Sequence, residues 1–253
     1  GGSVLPSGNN ANVTFQATSP LSNAPLAWNV VTRDVVGGFT FSADNDAITT
    51  VDSLAPTISS ITTKDTNGDG KVDAATIIFN ESVLDSSFAA NNFTIGGVPA
   101  TSIDTGTTPN DPTFGVLVAG GVLGTEAKDV LYTQGTGSDI VGNLLANIVS
   151  GTIAEIDGAA PVFMSARTTA TNKIELTFSE DLDGSTVTNN DFSVEGYSLT
   201  APDASELNGA VTLTTSSNFE TGDRPAVTYN TTVSNGVKDL HENQAPAAGP
   251  ITP

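Results

Sequence analysis

The sequence predicts an all-β protein of tandem antiparallel β-sandwiches. Three observations lead there: a composition suited to strands and turns, short alternating apolar runs, and an internal repeat of about one hundred residues. Of the 253 residues, 38% are hydrophobic and only 14% are charged, and Thr, Ser, Asn, Gly, Val and Ile are abundant. β-Branched side chains suit a pleated, half-buried surface, while Gly, Asn and Ser supply the turns between strands. The length allows two domains that each bury a core, with part of a third.

The repeat can be followed residue by residue. The interval from Asp34-Val-Val-Gly-Gly to Leu54-Ala55-Pro56 matches that from Asp139-Ile-Val-Gly-Asn to Ala159-Ala160-Pro161. After each proline comes an alternating run, TISSITT at 57–63 and VFMSART at 162–168, and then ATIIFNE at 75–81 and IELTFSE at 174–180. Phe79 and Glu81 thereby match Phe178 and Glu180. Asn91-Asn92-Phe93 matches Asn190-Asp191-Phe192, and Val130-Leu-Tyr132 matches Val227-Thr-Tyr229. Asp139, Gly142 and Asn143 match Asp239, Glu242 and Asn243. Boundaries fall near Pro56 and Pro161, where a proline at a strand's start costs no ladder donor.

The expected organisation is therefore a partial or divergent domain over 1–55, a complete repeat over 56–157 and a second over 158–253. Runs of four to eight residues bounded by Gly, Asn, Asp and Pro, roughly seven per repeat, read as antiparallel sandwiches. Residues 1–33 are the least regular, although 12–17 (NVTFQA) and 27–32 (AWNVVT) read as strands. The matched phenylalanines Phe79, Phe93, Phe178 and Phe192 are expected in the cores.

The Ala-Pro entry, the strand ending in Phe-Ser-Glu, the Asn-Asp-Phe turn and the late Val-Lys-Asp-Leu-x-x-Asn loop together resemble a known family. They are similar to the bacterial immunoglobulin-like repeats of S-layer and large surface proteins, of the SwmB and SbsA types. The resemblance covers residues 34–253 and implies tandem immunoglobulin-like sandwiches at a cell surface, with no activity of their own. Two departures stand out. Leu240-His241-Glu242 replaces the family's small residue and glycine, and the short, proline-rich 245–253 implies a last strand that is incomplete or finished by another chain.

Charge narrows the partners. With 8 basic against 28 acidic residues the formal charge is −20, which disfavours phosphate backbones and anionic membranes and favours cations. The chain contains no cysteine, so disulfides, thiolate metal sites and a cysteine nucleophile are excluded. No stretch has the apolar length of a membrane helix, and the first residues lack the halves of a signal peptide. An export signal, if used, lies outside these residues.

The sharpest local motif is Asp65-Thr-Asn67-Gly-Asp69-Gly70-Lys71-Val-Asp73. Oxygen side chains at alternate positions, with glycine at the turn, are what Ca²⁺ requires. The expected ligands are Asp65, Asn67, Asp69, the backbone carbonyl of Lys71, and Asp73. Thr76 stands where a helix-loop-helix site has its bidentate glutamate, and strand patterns flank the loop, so an inter-strand calcium loop is expected. A metal-free acidic hairpin loop is the plainer alternative.

In a sandwich of this type the first hairpin loop lies at the pole where the chain leaves. That places the loop near Asp157 and near the entry loops of the second repeat, which carry Glu180, Asp181, Asp183 and Asp239 as possible joint ligands. A cation there would neutralise the carboxylates and stiffen the joint. The pairs Glu81/Glu180 and Asp139/Asp239 are equally consistent with loop carboxylates that accept backbone amides.

Catalysis is not expected. His241 is the only histidine, expected on a solvated loop, and nucleophile-elbow, zincin and phosphate-loop motifs are missing from the sequence. The expected role is a non-catalytic segment of a secreted or cell-surface array, associating with itself or with neighbouring subunits through calcium. Two alternatives are an adhesive or glycan-binding module, with 96–110 as its first candidate loop, and an accessory region of a larger extracellular enzyme.

Overall fold

The computed structural model describes residues 30–33, 39–42, 52–200, 205–231 and 236–253. The chain divides into two units, Gly1–Ser53 and Leu54–Pro253. In the first unit β1 (Val30–Arg33) and β2 (Phe39–Ser42) form an antiparallel hairpin. The strand expected at 12–17, and Trp28 with the start of the strand expected at 27–32, lie outside the described residues.

The second unit contains two successive sandwiches, so the fold is all-β and immunoglobulin-like, as the sequence predicts. In the first sandwich, one sheet has the order β10-β3-β4-β8-β7. Its strands are β3 (Ile58–Lys64), β4 (Lys71–Phe79), β7 (Ser102–Asp104), β8 (Thr113–Leu123) and β10 (Ile156–Asp157). The facing sheet is β6-β5-β9, from β5 (Phe93–Ile95), β6 (Val98–Pro99) and β9 (Val130–Tyr132). Period-two alternation sends Ile61, Val72, Ile77, Phe79, Phe93, Ile95, Phe114, Val116 and Tyr132 into one core.

The second sandwich repeats this plan. One sheet is β11-β12-β15-β14, from β11 (Phe163–Ala170), β12 (Lys173–Phe178), β14 (Ser205–Leu207) and β15 (Ala210–Thr214). The other is β13-β16-β17, from β13 (Phe192–Val194), β16 (Val227–Tyr229) and β17 (Ala248–Ile251). Phe178, Phe192 and Tyr229 pack together as Phe79, Phe93 and Tyr132 do, and all six are buried. The proline-rich end does form a strand: Val227 pairs with Ile251 and Tyr229 with Ala248.

The sandwiches differ at one edge. β3 is flanked by β10, which runs parallel to it with Ile156 opposite Thr62 and Asp157 opposite Thr63. β11 is the outer strand of its sheet among the described residues. Leaving β10, the chain reaches β11 in five residues, so the strand that closes the first sandwich leads straight into the second.

A carboxylate-lined candidate joint site

β3 and β4 form an antiparallel hairpin with the acidic loop at its tip. Asp65 organises this loop: Oδ1 accepts from the amides of Gly68 (2.8 Å) and Asp69 (3.3 Å), and Oδ2 from that of Gly70 (2.8 Å). Asp73 ties the other end, accepting from the amide and the hydroxyl of Thr66, each at 2.8 Å. Asn67 Oδ1 accepts from the Asp69 amide, and Asp69 faces Lys71 Nζ at 3.6 Å. The side chains expected to hold calcium are thus turned toward backbone donors and a lysine. Lys71 opens β4.

The loop closes against the second sandwich. Gly70 has φ +80° and is buried. A Cβ there would lie 2.5 Å from Met164 Sδ and 3.3 Å from Ser179 Cβ, so this contact needs glycine twice over. Gly70 O accepts from the amide of Gly124 (3.2 Å), and the next residue is Thr125, which is fully buried. Its hydroxyl meets Ser179 Oγ at 2.6 Å and donates to Glu180 Oε1. Ser179 Oγ also accepts from the amide of Val162 at 2.8 Å. A buried hydrogen-bond chain therefore runs from the first sandwich into the second.

Asp157 arrives from the opposite side, at the end of β10. Gly158 lets it approach: a Cβ at 158 would stand 2.5 Å from Thr62 Cγ2 and 3.0 Å from Thr63 O, while the glycine amide donates to that carbonyl at 3.1 Å. Asp157 Oδ1 accepts from the amide of Ala159 (3.1 Å), and the Asp157 carbonyl accepts from Asn243 Nδ2 (3.2 Å). Oδ2 is buried, has no N–H donor, and faces His241 Nδ1 at 3.5 Å, and the Asp157 side chain also hydrogen-bonds with the Glu180 carboxyl.

Asp239 completes the group. Oδ1 accepts from the amides of His241 and Asn243, and Oδ2 from Asn243 Nδ2, all at 2.8 Å. Asp139 is held in the same way by Val141, Gly142 and Asn143. The turn-holding role considered for Asp139 and Asp239 is present in both sandwiches. One donor atom from each of Asp157, Asp239 and His241 lies within 4.8 Å of the others.

Electrostatics reflect the crowding. Burial pushes the Glu180 carboxyl up to about 8; the Thr125 hydroxyl opposes this, and the charges of Asp157 and Asp239 reinforce it. Burial raises Asp157 too, against the Ala159 amide and with help from Asp239. Asp139 is also buried, but the Asn143 side chain and the amides of Asn143, Val141 and Gly142 outweigh that effect and lower it. The joint opens as a cleft of about 460 Å³ lined by Glu126, Asp157, Glu180, Asp181, Leu240 and His241, among others.

Of the joint residues expected from sequence, Asp157, Glu180 and Asp239 come together, and Asp181 sits on the rim. Asp183 instead accepts from the Ser185 amide at 2.9 Å, capping its own 3-10 turn. Thr125, Ser179, Asn243 and His241 escaped attention as joint residues. Ser179 and Asn243 were visible as repeated positions, whereas Thr125 carries no sequence signal. The stretch 96–110 forms β6, β7 and a largely exposed loop in which Gly106 N donates to Asp104.

Residues 152–252 match the sequence profile of a family described as Bacterial Ig-like domain. The matched stretch begins just before β10 and covers the second sandwich. The likeness supports a bacterial immunoglobulin-like domain, a module that typically occurs in surface or extracellular proteins in structural or adhesive roles and is generally non-catalytic. No curated protein and no solved structure matches the chain. Among the described residues no helix is long and apolar enough to cross a membrane.

Proposed function

We propose that the chain is a non-catalytic structural segment of a secreted or cell-surface array protein of the S-layer kind, related to the SwmB- and SbsA-type repeats, whose joints resist bending. The observation that carries this reading is the joint itself. A flexible linker would leave its polar groups to water, whereas here Thr125, Ser179 and Glu180 bond in a buried chain and Asn243 reaches across to the Asp157 carbonyl. Buried polar bonds of this kind oppose bending, because opening the joint strands their donors and acceptors.

Calcium enters the proposal at Asp65, Asn67, Asp69, the Lys71 carbonyl and Asp73. The loop supplies hard oxygen donors, and its base packs on Met164 and Ser179 of the second sandwich. Binding would turn Asn67 and Asp69 away from their present partners and draw the loop around the ion. Tightening there acts directly on the joint, and the net charge of −20 supports cation-bridged contacts between copies.

Small-angle scattering of the full chain in calcium and in chelator tests this. Narrower interdomain flexibility in calcium is expected, with a higher melting temperature, because an ion bound only to the native state stabilises it. Identical scattering and melting in both conditions would sink the calcium role. Monomers that fail to form sheets or filaments on a calcium-loaded support would count against the array.

A further inference from the structure

We propose that Asp157, Asp239 and His241 form a second cation site, distinct from the acidic loop, that takes a borderline transition metal such as Zn²⁺ and bridges the two sandwiches. Asp157 comes from the strand that closes the first sandwich, while Asp239 and His241 come from a loop of the second.

The first reason is a buried, oriented carboxylate oxygen that no N–H donor fills. Asp157 is 5% exposed, its Oδ1 is held by the Ala159 amide, and its Oδ2 is buried without an N–H donor, the side chain otherwise meeting another acid, the Glu180 carboxyl. A buried carboxylate oxygen in that condition is costly, and a cation is the partner that removes the cost. It points at a ring nitrogen 3.5 Å away. Two ligands about 2.1 Å from a tetrahedral zinc stand about 3.4 Å apart, so the pair is already spaced as neighbouring ligands.

The second reason is the supporting shell. Asp239 is 2% exposed and is aimed by Asn243 Nδ2 and by the amides of His241 and Asn243. The bond from the His241 amide ties two proposed ligands to each other. Asn243 also anchors the Asp157 carbonyl, so one side chain orients groups from both sandwiches. Outer contacts of this kind set ligand direction and metal affinity.

The third reason is selectivity. Two carboxylates and an imidazole suit zinc and its neighbours, whereas calcium prefers an all-oxygen shell. Two carboxylates also balance a dication, and the open cleft leaves room for water at the fourth position. In the repeat register Asp139 matches Asp239 and Val141 matches His241, so the nitrogen donor belongs to the second loop alone. Glu180 borders the site and is held by Thr125.

Isothermal titration of the chelator-stripped full chain with Zn²⁺, backed by the visible spectrum of the Co²⁺ complex, decides the matter. One equivalent of Zn²⁺ is expected, weakened at least about tenfold in His241→Ala and in Asp157→Asn. His241 is 60% exposed in its side chain, so His241→Ala should fold normally, which circular dichroism checks. Asp65→Asn with Asp73→Asn should leave zinc binding intact while removing any calcium effect, so the two sites can fail separately. Zinc bound by His241→Ala with wild-type affinity, or no stoichiometric binding by the wild type, would overturn the site.

Discussion

Two neighbouring aspartates in the joint meet burial differently. Asp239 is surrounded by N–H donors from its own loop, so its oxygens are satisfied whether or not the sandwiches touch. Asp157 has one oxygen held by the Ala159 amide, while the other lacks an N–H donor and faces His241, and the side chain also meets the Glu180 carboxyl. Glu180 lies between these regimes: burial pushes it up to about 8, against the Thr125 hydroxyl and with the charges of Asp157 and Asp239. Its folded value lies above its unfolded value of 4.5, so the native state holds a proton that the unfolded chain has released. That contribution to stability is complete below about 4.5 and is lost as pH rises through about 8. Glu180→Gln is therefore expected to stabilise the chelated protein by on the order of 2 kcal/mol at pH 8, with the gain vanishing near pH 5. Parallel thermal melts of wild type and variant across that range check it. Glu126, Asp157, Asp181 and His241 line the same cleft in both proteins.

At the scale of elements, β10 and the β3–β4 hairpin bring the joint together. β10 can lie on β3 only because residue 158 lacks a side chain, with Thr62 Cγ2 2.5 Å from where a Cβ would stand. Gly158→Val should lift β10, break the bond from the 158 amide to Thr63 O, and cost about 1–3 kcal/mol in the first sandwich. A lower urea midpoint with the second sandwich unchanged is the expected result. The hairpin shows what local sequence can and cannot say. Asp65 to Asp73 read as an inter-strand loop; residues 65–70 form that loop, because turn residues between two alternating runs encode a hairpin locally, while Lys71 to Asp73 already belong to β4. Its present hydrogen bonds were not legible, since alternate oxygens suit a metal and a set of amide acceptors equally well.

For the whole molecule, the question is how two cores behave as one body. Each sandwich has its own apolar cluster, centred on Phe79, Phe93 and Tyr132 in one and on Phe178, Phe192 and Tyr229 in the other. Each core should therefore sustain its own fold, with coupling carried by the joint. Thr125→Asp would set another carboxylate against Glu180 in a buried position and is expected to weaken that coupling by about 3 kcal/mol. Calorimetry should then resolve one cooperative transition of the wild type into two, with both cores still unfolding sharply. A single unchanged transition would show that Thr125 is not what couples them.

What the sequence determined by itself was the all-β architecture, the two successive sandwiches and their core phenylalanines, because strand alternation and repeat register are written in local order. It also placed Asp157, Glu180 and Asp239 at one pole, since repeat topology dictates which loops share an end. Only the tertiary structure decided that Asp183 turns to its own backbone, that Thr125 bridges the sandwiches, and that His241 stands against Asp157. Those outcomes depend on how two separately folded surfaces meet, and contacts between residues 55 or 84 positions apart leave no periodic trace in the chain.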